Sequence, residues 1–155
     1  MDWLLDMITN RFLITGVASW ALAQVAKTII HYFIYKKFDI FRLFGDGGMP
    51  SGHSATVTSV AVSAALVYGT GSFQFAIAAI LAIIVCHDAM GVRLETGKQA
   101  IVINELVSAF NALSSQEVSE EVKLKEFVGH TPVQVLAGIT LGAIGAVCMH
   151  YLVFV

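Results

Sequence analysis

The chain carries, between two long apolar segments, the stretch Gly47-Gly48-Met49-Pro50-Ser51-Gly52-His53-Ser54. Proline suits the first position of a helix, because its missing N–H would have no partner there, and glycine lets backbone amides turn toward a ligand. The stretch therefore predicts a helix start whose exposed amides and dipole favour an anion such as phosphate. His53 adds a group that exchanges a proton near neutral pH. An ordinary loop between two helices is the alternative interpretation.

Composition indicates an integral membrane protein. The 155 residues are 57% hydrophobic and 13% charged, with a mean hydropathy of +0.77, which is too apolar for a soluble domain and fits a single membrane domain over residues 1–155. We expect a multi-pass protein of the cell membrane, in contact with membrane lipids. The net charge of −2 comes without a basic stripe, so nucleic acid is not an expected partner.

Apolar runs on both sides of the glycine-rich stretch predict an all-α helical bundle. We expect about four transmembrane helices and one polar connection, over residues 12–35, 54–68, 73–90, 131–155 and 91–130 respectively. The first run, roughly 24 residues at 1.5 Å each, can cross a hydrocarbon core of about 30 Å. Within the connection, residues 99–113 carry an apolar stripe at helical spacing, which predicts an amphipathic helix on the membrane or against the bundle.

Small residues predict close packing between these helices. Residues 54–68 are rich in Ala, Ser and Val, and Gly138 and Gly142 form a small-xxx-small pattern in the last span, with Gly145 nearby. Such residues let transmembrane helices approach closely. Because four spans make a thin bundle, we also expect that the chain can form a homo-oligomer.

Basic residues predict the orientation of the bundle. With four spans, both long connections lie on one side of the membrane, and they hold Lys36, Lys37, Arg42, Arg93, Lys98, Lys123 and Lys125. Arg11 is on the other side. The positive-inside rule therefore places both connections, which adjoin every candidate chemical group, in the cytoplasm.

Three polar clusters converge on that face. Lys27 lies about two turns inside the first span, where a charge costs about 3 kcal/mol, so it either snorkels to the surface or meets a partner. Asp88 and Arg93 flank a glycine turn, and arginine either contacts phosphate oxygens in a bidentate manner or anchors the chain at lipid headgroups. His130 lies in a second Gly-His-x-Pro helix start.

Two histidines at two helix starts, with cations at the same depth, predict phosphoryl transfer. One imidazole would attack phosphorus, the other would protonate the leaving oxygen, and the cations would hold the charge of the transition state. A metal bound by His53, His87 and His130 is the alternative, but their spacing is not typical of ligands. We therefore expect no metal and no cofactor.

The motifs resemble those of a known superfamily. Pro50-Ser51-Gly52-His53 matches the second motif of the PAP2 phosphatidic-acid phosphatases and vanadium haloperoxidases, and residues 128–138 look like the third. Over about residues 20–145 the chain is similar to the divergent PAP2 family, with the motifs in order: Gly47-Gly48-Met49-Pro50, Asp88-x2-Gly91-Val92-Arg93-x3-Gly97-x-Gln99-Ala100 and Gly129-His130-Thr131-Pro132.

The resemblance implies a fold and an activity. A PAP2-like helical bundle would hydrolyse a lipid phosphate or an isoprenyl diphosphate without metal, through a phosphohistidine. His130 would be the nucleophile, His53 the general acid and Lys27 the phosphate-binding lysine of the first motif.

The chain departs from the superfamily motifs at several positions. The arginine–proline pair is absent after Lys27, Leu124 stands six residues before His130 where an arginine is expected, and Gln134 stands where an aspartate would orient the nucleophile. The phosphate contacts that we predict beside Lys27 are Ser51, Gly52, Arg93 and Lys125.

The group that orients His130 is left open between two kinds of residue. Gln134 can fix the tautomer of an imidazole but cannot stabilise the imidazolium as a carboxylate does. Asp88 is the orienting acid that we predict, and Glu95 and Glu126 are further candidates. Gln134 also has a structural interpretation, because Thr131-x-x-Gln134 is a capping box.

Two functions follow from these patterns. The first is a membrane phosphatase acting on a lipid phosphate or isoprenoid (di)phosphate. The second is a binding or scaffold protein that keeps the phosphate site and has lost turnover. A transporter is less favoured, because four spans hold too little for alternating access without oligomerisation.

Overall fold

The computed structural model describes residues 2–36, 47–113, 124–126 and 128–154, and within them the chain forms six helices and no strand. The helices are α1 (Asp2–Ile8), α2 (Arg11–Tyr35), α3 (Gly52–Tyr68), α4 (Phe73–Met90), α5 (Val92–Leu113) and α6 (Pro132–Leu152). The predicted all-α class is confirmed. Three basic residues used for the orientation, Lys37, Arg42 and Lys123, lie outside the described residues.

Polar side chains and turn residues set the ends of the long helices. The Asn10 side chain accepts hydrogen bonds from the backbone N–H groups of Phe12 (2.9 Å) and Leu13 (3.2 Å), which begins α2. Lys36 ends α2 in the left-handed region at φ 54°. Ser72 caps α4 by accepting from Phe75 N–H at 3.2 Å, so only residues 69–72 connect α3 to α4.

Side-chain size is distributed as in a membrane protein. The buried apolar positions are mostly alanine, such as Ala23, Ala55 and Ala146, each fully buried. Large apolar side chains lie on the outside, as with Ile83 at 68% exposure. Because lipid is as apolar as these side chains, the helices associate through close packing of small residues rather than through burial of large ones.

Helix α3 is the centre of the bundle and packs against α2, α4 and α6. Its contact with α6 is a backbone contact, because a Cβ at Gly138 would lie 3.0 Å from the Ser54 Cβ and one at Gly142 would lie 2.9 Å from the Ala55 Cα. The two glycines therefore lie on a packing face, as predicted, and they bring the starts of α3 and α6 together.

Three helical stretches among the described residues are long and apolar enough to cross a membrane: Arg11–Ile34, Phe73–Leu113 and Pro132–Leu152. The second of them runs through α4 into α5. The remaining predicted span is α3, whose 17 residues extend roughly 25 Å, somewhat less than the hydrocarbon core. The count of four spans is therefore approximate. Helix α3 is the shortest of the four helices, and the other three pack around it.

The polar connection contains a longer helix than its sequence pattern predicts. Helix α5 begins at Val92, seven residues before the stripe at residues 99–113, directly after Gly91 ends α4. The Gly91 N–H donates to the His87 carbonyl at 2.8 Å. Helix α5 contacts α4 but makes no direct helix–helix contact with α2 among the described residues.

Candidate functional site

The starts of α3 and α6 are joined by a backbone hydrogen bond. The Ser51 N–H donates to the Gln134 carbonyl at 3.0 Å. Ser51 is fully buried and caps α3, since its hydroxyl oxygen accepts from Ser54 N–H at 3.3 Å and from the Ser54 hydroxyl at 3.0 Å. A Cβ at Gly52 would lie 3.3 Å from the Trp20 ring, so this helix start also fits closely against α2.

The two predicted catalytic histidines meet at this junction. Their ring centroids lie 6.0 Å apart, with the ring planes at 62°. His130 is only 2% exposed, and its backbone N–H donates to the Ala89 carbonyl at 2.9 Å, which ties the loop to the end of α4. Helices α3, α4 and α6 thus fix the positions of both imidazoles.

The side-chain oxygen of Gln134 serves both of the functions predicted for that residue. It accepts the Thr131 backbone N–H at 3.2 Å, as in a capping box, and it lies 3.3 Å from Nδ1 of His130. The Thr131 N–H can only donate, so this atom is the oxygen of the amide, and the His130 Nδ1 facing it is the protonated nitrogen. In the neutral ring, Nε2 therefore carries the lone pair.

Burial lowers the pKa of His130 below its ordinary value of 6.5. Hydrogen bonds with Gln134 and with the Gly48 backbone act in the opposite direction, whereas the positive charge of Lys27 and the second imidazole of His53 lower the pKa further. The net direction is downward, so the ring favours its neutral form at pH 7.

Lys27 is directed into the bundle rather than toward the surface. It is 5% exposed, and its aliphatic stem packs on Gly48, where a Cβ would lie 3.4 Å from the Lys27 Cγ. Gly47 and Gly48 both have φ of 83°, a region that glycine adopts readily. Of the two interpretations of Lys27, snorkelling is therefore wrong, and its charge acts on His130 instead.

A cavity of about 710 Å³ adjoins Lys27 and Gln134. One wall is a face of α2 with two polar and two apolar side chains: Lys27, His31, Ile30 and Ile34. The other walls are formed by the glycine-rich segment 47–49, by the loop before α6 and by Leu94. His53 and His130 do not line the cavity, whereas Lys27 and Gln134, which both act on His130, do.

The structure does not bring the remaining predicted site residues to the imidazoles. Arg93 donates from Nε to Asp88 at 2.6 Å, and both side chains are more than 40% exposed and outside the cavity lining. Lys125 is exposed, and Glu95 pairs with Lys98 at 2.7 Å. Roles for Arg93, Lys125 and Asp88 in phosphate binding or in orienting His130 stay predictions.

Two cavity residues, His31 and Glu126, are not among the phosphate-binding residues predicted from the sequence. His31 lies one turn after Lys27 and shares its helix face, and this spacing was the available signal. Glu126 was one of several candidate acids, and it is the one of these that lines the cavity. Glu126 is held at the cavity wall because Asn104 on α5 donates a hydrogen bond to its Oε1 at 2.9 Å.

Helix α5 is a platform for the loop that leads to His130. The Asn104 side chain donates to the Leu124 carbonyl at 2.9 Å and accepts from the Leu124 N–H at 3.0 Å. A Cβ at Gly97 would lie 2.7 Å from the Val128 carbonyl oxygen, so loop and helix are in backbone contact. Gly129, with φ of 83°, packs just as closely on the first turn of α5.

No group of three His, Cys, Asp or Glu side chains in the described ranges is placed to share a metal ion. The polar groups that do converge are two imidazoles, a lysine, the amides of a helix start and a glutamine. They define a class: a helical membrane protein with paired histidines at two helix starts, beside a cavity with an apolar wall.

Comparison with known proteins identifies the family within that class. The sequence model of the Divergent PAP2 family matches residues 8–145, and the chain belongs to this family. It is 37% identical to the uncharacterized membrane protein YuiD of Bacillus subtilis (strain 168), in an alignment that covers 95% of this chain and 98% of the relative. No solved structure matches the chain.

Proposed function

We propose that the protein is a membrane phosphatase that hydrolyses a lipid phosphate or an isoprenoid (di)phosphate through a phosphohistidine. The observation that carries this proposal is the meeting of His53 and His130, 6.0 Å apart, at two helix starts beside Lys27. Family membership supports a role related to phosphatases.

The environment of His130 supports its assignment as the nucleophile. The ring is neutral at pH 7 because its pKa is lowered, and Gln134 holds the proton on Nδ1, so the Nε2 lone pair is the reactive one. A nucleophile needs a nearby general acid–base group, and His53 can serve as this group because its ring lies beside that of His130.

The reaction follows in two balanced steps. Nε2 of His130 attacks phosphorus and forms an N–P bond while the bond from phosphorus to the leaving oxygen breaks, and protonated His53 gives its proton to that oxygen. Water then attacks the phosphohistidine, His53 takes the proton from the water, and the N–P bond breaks to release phosphate. Lys27 and the α3 amides hold the charge on the phosphoryl oxygens.

The cavity supports an amphiphilic substrate. Lys27 and the glycine-rich segment offer charge and amides at one part of the wall, and Ile30, Ile34 and Met49 offer apolar surface beside them. A phosphate held by Lys27 would therefore place an attached hydrocarbon chain against α2, on the side of the bundle that faces lipid.

A second candidate function is a phosphate-binding scaffold without turnover. Gln134 favours it, because an amide cannot stabilise the imidazolium that forms as His130 reacts, and this loss is costly in enzymes with a comparable triad. In that case the protein would bind the same ligands and release no phosphate.

Phosphate release by the detergent-purified protein tests the proposal. We expect release from lipid phosphates or isoprenyl diphosphates in the presence of EDTA, and its loss in His130→Ala and His53→Ala. His150→Ala is the matched control, since His150 lies at the opposite end of α6. Trapping of a phosphohistidine in the wild type, absent from His130→Ala, would identify the nucleophile directly.

Two results of this assay would contradict the phosphatase proposal. Binding of these ligands without phosphate release would favour the scaffold over the phosphatase. Release that is unchanged in both histidine variants would contradict the proposed chemistry.

A further inference from the structure

Glu126 is a carboxylate built into the wall of the phosphate cavity. It is half-buried and lines the cavity, and Asn104 holds its Oε1 at 2.9 Å. Asn104 is itself fixed, because it makes two further hydrogen bonds with the backbone of Leu124. The orientation of the carboxylate is therefore set by α5 and is not an accident of a mobile surface side chain.

Glu126 differs from the other two acids considered for this site. Asp88 is paired with Arg93, and Glu95 is paired with Lys98. Among the residues that the structure describes, no lysine, arginine or histidine forms an ion pair with Glu126. Because none of these described residues forms an ion pair with the partly buried Glu126 carboxylate, a ligand can supply a positive charge beside it.

Glu126 and the lysine of α2 lie on different walls of the cavity. Lys27 and His31 lie on α2, whereas Glu126 lies on the loop that α5 supports, and α2 and α5 do not touch in the described part of the chain. An ordinary phosphate anion held at Lys27 would face a negative charge across the cavity. A ligand carrying both a phosphate and an ammonium group would match both walls.

We propose that Glu126 recognises an ammonium group, so that the site selects phosphate monoesters that bear an amine, such as the phosphate of an amino alcohol. The proposal rests on the phosphate site of the proposed function and specifies the headgroup that the site accepts. Lys27 binds the phosphate end, Glu126 binds the amine, and Asn104 is a positioning residue for Glu126.

Two matched soluble probes test this selection by titration calorimetry on the detergent-purified full chain. Ethanolamine phosphate and propyl phosphate are of similar size and differ in the ammonium group. We expect the wild type to bind ethanolamine phosphate about tenfold more tightly, the difference that about 1.4 kcal/mol produces. A second pair in mixed micelles, a long-chain amino-alcohol phosphate and the matching long-chain alkyl phosphate, asks whether the source of the phosphate ester is a lipid.

Variants separate recognition of the amine from binding of the phosphate. Glu126→Gln keeps an oxygen that can accept from Asn104 and removes the charge, so we expect equal affinity for the two probes. Lys27→Met should weaken both probes to the same extent. Glu95→Gln, which removes an exposed acid of the same type two turns from Asn104, should change neither.

The outcomes are distinguishable. Preference for the amine in either pair, lost in Glu126→Gln, supports the inference and shows whether the ligand is lipidic or soluble. Binding of both probes without preference, or a preference that survives Glu126→Gln, overturns the inference and leaves the proposed function standing. Failure of all four probes to bind the wild type would overturn the inference, and the phosphate-release assay with isoprenyl diphosphates would then decide the proposed function separately.

Discussion

Gln134 combines a structural and a chemical task in a single oxygen atom. The same atom that caps α6 through Thr131 also faces the Nδ1 of His130. The residue therefore positions the imidazole well, yet it offers no negative charge to the imidazolium that forms during attack. A single substitution can supply that charge and leave the geometry unchanged.

We expect Gln134→Glu to increase phosphate release. A glutamate has the same length and still accepts from Thr131 and His130, but its charge stabilises the imidazolium and raises the pKa of His130. The gain in kcat should be roughly tenfold or more, given the cost of removing such a carboxylate elsewhere. Steady-state kinetics would measure it, and a lower kcat in Gln134→Glu would show that His130 does not act through its imidazolium.

We expect the activity of the wild type to persist below pH 6.5. His130 attacks as the neutral ring, and its lowered pKa means that this form is lost only as the pH falls through a value below 6.5. The acid limb of kcat/KM against pH should therefore have its midpoint below 6.5, and Gln134→Glu should move that midpoint upward. A midpoint at or above 6.5 in the wild type would contradict the buried, neutral nucleophile.

Helix α5 supports the loop before His130, a role that its sequence pattern does not predict. Its apolar stripe predicted a helix lying on the membrane or against the bundle, and the structure adds a second face that holds the loop before His130. That face is made of one asparagine and one glycine, Asn104 and Gly97. The helix thereby links the cavity wall to the loop that carries His130.

We expect Gly97→Ala to impair catalysis while the helices stay folded. The added Cβ would lie 2.7 Å from the Val128 carbonyl oxygen and 2.8 Å from that of Glu126, so the loop must move away from α5. A displacement on the order of 1 Å at a reacting group costs about 100-fold in rate. Phosphate release and circular dichroism would be measured together.

Gly71→Ala is the matched control for that change, since a Cβ there meets nothing within 4 Å. Equal activity in the two variants would show that the loop tolerates the displacement and that α5 does not position His130.

Some elements of the site could be predicted from the sequence and others could not. Capping and proline signals near Pro50 and Pro132 predicted two helix starts that bring two histidines to one face, because such signals are local. Pro132 is the first residue of α6, as the proline signal predicts, whereas Pro50 precedes the Ser51 cap of α3 and is not at the first helical position. The partner of Arg93 is five residues away, but local sequence cannot tell an ion pair with Asp88 from a phosphate contact. Glu126 was one acid among several, because its direction depends on Asn104, 22 residues earlier.

At the scale of the whole molecule, the orientation in the membrane is a prediction that single-cysteine labelling can test. After replacement of Cys86 and Cys148 by alanine, we expect Lys98→Cys to react with a membrane-impermeant maleimide only from the cytoplasmic side. Thr70→Cys, in the turn between α3 and α4, should react only from the other side, because α4 separates the two positions. The reversed pattern would place the site on the outer face.

The backbone contact between α3 and α6 has a consequence for how the site behaves in different membranes. Side chains at a helix interface can change rotamer and so compensate for a small shift between the helices. Gly138 and Gly142 have no side chain that could do this where they pack against Ser54 and Ala55. The distance between the two imidazoles therefore depends directly on the relative position of α3 and α6. A bilayer whose thickness tilts one helix relative to the other would change that distance. The geometry of the proposed site would then depend on the thickness of the membrane.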